Sequence, residues 1–238
     1  VVTLTTGGTV TGLAIAASSN MSFGAGNAGD QVAIANGGFA ANASITITGT
    51  GAVDLETLAA NVDTIDAGGS SGGVTVALDA ETDTTVTGSS GNDTISTGAA
   101  LTTGAVNAGA GTDRLIVGTT AHLNSATLAG KYTNFETLEV TNGVAIDLDL
   151  LTSITAVAMT DGAGTTALTD LSATQAGAFT LKGVNGAATI GIKNASTVGQ
   201  IDTANITVSD GDSTASEAVS TAGDLTMTDI ELINFTLT

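Results

Sequence analysis

Gly88-Ser89-Ser90-Gly91-Asn92-Asp93-Thr94-Ile95-Ser96, and then Ala108-Gly109-Ala110-Gly111-Thr112-Asp113-Arg114-Leu115-Ile116, is the stretch whose reading decides the fold. Each half is a glycine-rich turn that delivers one aspartate, followed by a short β-forming run with an apolar residue two places on. Glycine lets the backbone turn tightly and expose its carbonyl oxygens, and the aspartate adds charge. That is the recipe for a calcium-stapled coil of parallel strands, with the aliphatic residue buried inside. The aspartates stand roughly 20 positions apart, close to the about 18 residues of two nonapeptide half-turns. They are therefore predicted on neighbouring rungs, the surplus residues being absorbed in the return through 99–106. Carbonyls of Ser89, Gly91, Gly109 and Gly111 then face an ion with Asp93 and Asp113 as its charged ligands, and Asn92 belongs to the same candidate set. One or two Ca2+ ions are expected; a plain glycine surface turn is the alternative.

Outward from this stretch, period-2 alternation recurs along the chain, as in Ser44-Ile45-Thr46-Ile47-Thr48, Val74-Thr75-Val76-Ala77-Leu78 and Asn205-Ile206-Thr207-Val208-Ser209. The runs are short, rich in Thr, Ile and Val, and bounded by Gly, Asn, Asp or Ser, which is the grammar of strands and turns. The expected fold is all-β: stacked short strands, parallel β-helix or β-roll-like, or elongated β-sandwich units, with a few short connecting helices. Helical spacing is local. Val53, Leu55, Leu58 and Val62 line one face of a candidate helix, 169–176 has a cap-like start and a glycine stop, and 122–129 is a third candidate. Three regions are expected: an N-terminal β-region over 1–87, the calcium-type turns over 88–117 and a C-terminal β-region over 118–238, or one continuous unit. Asp54-Leu55-Glu56-Thr57-Leu58 is echoed by Asn134-Phe135-Glu136-Thr137-Leu138, and loosely by Asp229-Ile230-Glu231-Leu232-Ile233. Such irregular repetition fits a series of stacked β-units.

Composition narrows the function classes. With 238 residues the chain can build a substantial core. It carries 23 acidic against 4 basic residues, a formal charge of -19, which disfavours nucleic acid and anionic membranes as partners and favours cations. Cysteine is absent, so neither a disulfide framework nor a thiolate metal site exists. No apolar run approaches the roughly 20 residues of a membrane span, so the chain is not expected to be transmembrane. Without an initiator Met or a basic leader, the sequence reads as a fragment or processed product. Aromatics make up only 3%, and such small side chains suit thin stacked layers better than a bulky globular core.

Other acidic groupings are weaker. Asp79, Glu81 and Asp83 would share one face of a strand, or in a loop could wrap a hard cation; a solvated face is the alternative. Asp210 and Asp212, flanking Gly211, form a second such candidate, with a surface turn as the alternative. His122 is the single histidine, with neither the partners of a zinc site nor those of a catalytic triad in its neighbourhood. No catalytic motif appears, and the chain is not expected to be an enzyme.

The turns resemble the repeats-in-toxin (RTX) nonapeptide. The order "GNDTI", "GAGTDRLIV" and "NFETLEVTNGVAIDL", on a cysteine-free Ala/Gly/Thr/Ser background, is similar to the calcium-dependent RTX-type surface-layer proteins of Gram-negative bacteria. The motif covers 88–150, and both turns have a degenerate first Gly-Gly pair. The resemblance implies type I secretion, an extracellular place on the bacterial surface and assembly into two-dimensional lattices. The expected function is thus structural: a calcium-stabilised, self-associating subunit of a surface layer, sheet or filament, with cell-surface polysaccharide as a further partner. An adhesin or binding module of a large RTX protein is the alternative, and a polysaccharide-active β-helix enzyme ranks behind both. The apolar end 229–238 resembles the tail of a type I secreted protein and equally matches the start of another strand unit.

Overall fold

The computed structural model describes residues 2–4, 10–23, 32–34, 39–58, 61–141, 143–162, 165–197, 201–209, 223–228 and 230–238. Its strands pair in parallel. Two compact units emerge, Val1–Leu115 with Lys131–Phe135, and Ile116–Gly130 with Glu136–Thr238. The division falls inside strand Arg114–Val117.

In the first unit the chain winds between two sheets. One runs in the order Tyr132–Thr133, Ala105–Asn107, Thr85–Thr87, Val62–Ser70, Phe39–Gly49, Val10–Ala17; the other contains Thr94–Ser96, Val74–Ala77, Val53–Thr57 and Met21–Ser22. Successive coils stack in register roughly twenty residues apart, Thr85 on Ala105 and Thr75 on Thr94. A separate parallel pair joins Val2–Leu4 to Val32–Ile34.

Strands of three residues need only one inward side chain. In Thr85–Thr87, Thr94–Ser96 and Ala105–Asn107 the central Val86, Ile95 and Val106 are buried, while the flanking residues face outward or lie part-exposed. Parallel registration turns these single residues into columns: Ile65, Val86, Val106 and Tyr132 lie one above the next. Each column places like on like at the spacing between paired strands, about 4.8 Å, so the core is thin and its side chains small. Tyr132 closes its column with its hydroxyl donating to the Ala99 carbonyl at 3.5 Å, and burial pushes its phenol well above the ordinary range.

The second unit repeats the scheme with longer strands. Thr137–Val140, Ala156–Gly162, Phe179–Asn185, Thr203–Ser209 and Leu232–Leu237 follow one another in one sheet, and Ala145–Asp147, Thr166–Leu171, Ala188–Ile192 and Leu225–Met227 in the other. Val157, Phe179 and Ile206 form one core column, and Phe235 follows them in register but is exposed.

The helix expectations divide. The predicted helix at 53–62 is instead strand Val53–Thr57, because Val53 and Leu55 alternate inward; a left-handed Glu56 (φ 52), its N–H donating to Asp54 Oδ1 at 2.8 Å, sits where the pairing register shifts between Asp54 and Thr57. At 169–176 only Ala173–Ala176 is helical, opened by a capping box of Ser172 and Gln175; Thr169–Leu171 completes a strand. Over 122–129 a 3-10 turn Thr120–His122 precedes helix Ala126–Ala129, capped by Ser125. Among the described residues no helix is long and apolar enough to cross a membrane.

Ile95 fills its column with no exposed surface. Truncating it to alanine is expected to cost about 3 kcal/mol in urea denaturation, because the rigid coils on either side cannot close the gap.

Candidate functional site

The Gly88–Asp93 and Ala108–Asp113 turns sit directly on one another. Asp113 Oδ1 accepts the backbone N–H of Asp93 at 2.7 Å, and Asn92 Oδ1 accepts that of Thr112 at 2.9 Å. The two aspartates therefore do occupy neighbouring rungs. The backbone confirms the stacking, since Ala110 N–H donates to the Ser89 carbonyl at 3.1 Å and Ser90 N–H to the Ser70 carbonyl of the coil before at 3.0 Å.

Both carboxylates point inward rather than to solvent: Asp93 is 1% exposed and Asp113 0%. Asp93 Oδ1 accepts the backbone N–H of Val74 at 2.6 Å and the Ser89 hydroxyl at 2.8 Å, and its Oδ2 accepts the Ser89 N–H at 2.8 Å. Burial pushes the Asp93 carboxyl upward, opposed by these hydrogen bonds from Ser89 and Val74. Ser89 Oγ in turn accepts the Gly91 N–H at 3.0 Å, so the hydroxyl relays the carboxylate's hold around the turn.

Calcium asks for six to eight oxygen ligands. What converges on Asp93 is a set of N–H and O–H donors, and the neighbouring Ser89 carbonyl is committed to Ala110. Asn92 and Gly111 are exposed at the rim, and Gly91 and Gly109 lie part-buried between coils. As placed, the groups around Asp93 are not the ligand set of a calcium cage. The glycines have a different physical reason. Gly109 stands at φ 99, and a Cβ there would run into the Ser89 carbonyl oxygen of the coil below.

The weaker acidic groupings fall apart differently. Asp79, Glu81 and Asp83 lie in the turn between Val74–Ala77 and Thr85–Thr87, where Asp79 Oδ1 accepts the Glu81 N–H at 3.0 Å and Glu81 and Asp83 are exposed. They are in a loop, not along a strand face. Asp63, in the coil before, has its carboxyl raised by burial first and then by repulsion from Asp83 and Asp79. Asp210 and Asp212 lie outside the described residues. Among the described residues no group of three or more His, Cys, Asp or Glu is placed to hold a metal ion. His122 ends its 3-10 turn half-buried, which lowers its imidazole below the ordinary value.

Two arrangements were not legible beforehand. In the second unit Glu139 is 7% exposed, yet its Oε1 accepts the Thr160 hydroxyl at 2.9 Å and its Oε2 faces Lys182 Nζ at 3.4 Å. A shallow hollow in the first unit, lined by Asn20, Met21, Ser22, Val53, Asp54 and Thr75, offers Asp54 as its one titratable lining group. General acid-base chemistry needs a second.

Gly109→Ala is expected to destabilise the fold by about 1 to 3 kcal/mol from the left-handed backbone alone, with the carbonyl contact adding to it, measured by thermal unfolding. Asp63 offers a pH test. With its folded value raised, its contribution to stability is present below the ordinary aspartate range and is lost as pH rises through the folded value. Asp63→Asn should therefore raise Tm relative to wild type at pH 7 and leave it unchanged at pH 3.

Comparison of the chain with protein-family models, with curated proteins and with solved structures returns no match, so its geometry and its sequence carry the functional reading.

Proposed function

We propose that this chain is structural material of an extracellular bacterial surface, a self-associating subunit of a layer, sheet or filament. The observation that carries the reading is strand Leu232–Leu237. Among the described residues it ends its sheet, pairing in parallel with Thr203–Ser209 on one side. Its Ile233, Phe235 and Leu237 register with Ala204, Ile206 and Val208, which are core residues one coil earlier. Here the same positions are open: Phe235 is 62% and Leu237 77% exposed. Among the described residues this edge presents core-type side chains, and such an edge is a template for a coil from a second copy of the chain. Asn234 Nδ2 donates to Asn205 Oδ1 at 2.8 Å, so the strand also carries the end of an asparagine ladder that a further coil would extend.

Charge then assigns a role to calcium. Copies of a chain bearing -19 repel one another, and divalent cations between acidic surfaces relieve that repulsion. The exposed Glu81 and Asp83, with Asp63 and Asp79 near them, are the surface where such an ion is most favoured, since burial and then repulsion from Asp83 and Asp79 already raise the proton affinity of Asp63. Secretion by a type I route and an address on the cell surface rest on the resemblance to RTX-type surface-layer proteins.

Light scattering and negative-stain microscopy of the purified chain with millimolar CaCl2 should show ordered assemblies that disperse in EGTA. Phe235→Lys with Leu237→Lys should abolish them while leaving Tm within about 2 °C, because both side chains are already exposed. A wild-type chain that stays monomeric with and without calcium would sink the reading.

A further inference from the structure

The resemblance places calcium between Asp93 and Asp113, but the atoms placed around the Asp93 carboxylate are N–H and O–H donors. We propose instead that the two aspartates are metal-independent rungs of a carboxylate ladder, each binding the backbone of the coil before it and so clamping successive turns together.

The register carries the argument. Thr94 pairs with Thr75, so Asp93 lies over Val74, and it is the Val74 N–H that Asp93 Oδ1 takes at 2.6 Å. Asp113 repeats the step one coil later, taking the Asp93 N–H at 2.7 Å. The same amide position in two successive coils is thus satisfied by a side chain from the coil above. An ordinary parallel ladder would offer a carbonyl there. The glycine corner tilts the backbone away, and an unpaired buried N–H would remain. A carboxylate repairs it, and at Asp93 the negative charge is held by three short charge-assisted bonds. Ser89 completes the clamp: its N–H and hydroxyl both donate to Asp93, and the hydroxyl oxygen accepts from Gly91.

This explains why a serine is found where the RTX pattern has its second glycine. In a calcium cage that residue contributes only its backbone carbonyl, and its side chain is irrelevant. In the ladder the hydroxyl is a structural donor. The two readings therefore part at Ser89, a residue whose truncation removes no proposed calcium ligand.

The test uses the whole chain, with CaCl2 and EGTA as the two conditions. Wild-type Tm is expected to differ between them by no more than about 1 °C. Ser89→Ala should lower Tm by roughly 3 to 10 °C equally in both, the loss of hydrogen bonds to a buried charged group. Asp93→Asn, which turns an amide donor toward the Ser89 N–H, should lower it further. A calcium-induced rise shared equally by wild type and Asp93→Asn would place the ion elsewhere and support the ladder. A rise above about 5 °C in wild type that disappears in Asp93→Asn would overturn it, as would an unchanged Tm in Ser89→Ala. Hydrogen exchange on the wild type gives a reading that needs no variant. The Val74 and Asp93 amides should stay protected in EGTA, and their exposure on chelation would equally overturn the proposal.

Discussion

Parallel coils stacked at the spacing of a β-sheet are the constraint on which the rest of this molecule depends. At about 4.8 Å between paired strands there is no room between consecutive turns for anything larger than backbone. Gly109 meets the Ser89 carbonyl, and Gly111 meets that of Gly91, so a side chain at either would wedge the coils apart. The same closeness makes each corner an accounting problem, because every amide it tilts out of the ladder must find another acceptor. The carboxylates of Asp93 and Asp113 and the side-chain carbonyl of Asn92 answer that problem, each reaching a neighbouring coil.

Repetition of this geometry accounts for the unusual composition. Short strands with one inward residue need Val, Ile or Leu at that place and small polar residues on either side, which is why threonine, glycine and alanine recur and aromatics are scarce. It also concentrates what chemistry there is at the ends and rims. The buried Glu139 is held by partners inside the fold, Thr160 and Lys182. The remaining acids lie mainly outward, and they make the surface a poor partner for itself without counterions. A coil whose core residues Phe235 and Leu237 stand open supplies the opposite tendency. Association in the proposed material is the balance of the two.

Much of the fold was legible because its signals are local. Alternation in Val74–Ala77 or Thr203–Ser209 depends only on which residues face inward, and glycine turns mark where the chain reverses. The position of Asp93 and Asp113 on adjacent rungs was likewise readable from their separation. The segment at 53–62 misled because Val53, Leu55, Leu58 and Val62 satisfy a helical spacing as well as a broken strand. What decided it was a partner, Val74–Ala77, that accepts Val53 and Asp54 in register.

By itself the sequence determined that the chain would be all-β, corner-rich, acidic and free of disulfides, since these follow from residue type and short-range order. Tertiary structure alone decided that the aspartates face inward to backbone donors. Spacing reports which rung a residue occupies, whereas the direction of a side chain at a corner is set by which amides the coil below has left unpaired. Tertiary structure also revealed Ser89 as a donor in the clamp and Glu139 as a buried anion, because each depends on an atom from another coil. For a carboxylate the difference between ion ligand and backbone clamp is a matter of what surrounds it, and in a stacked fold those surroundings come from residues about twenty positions away.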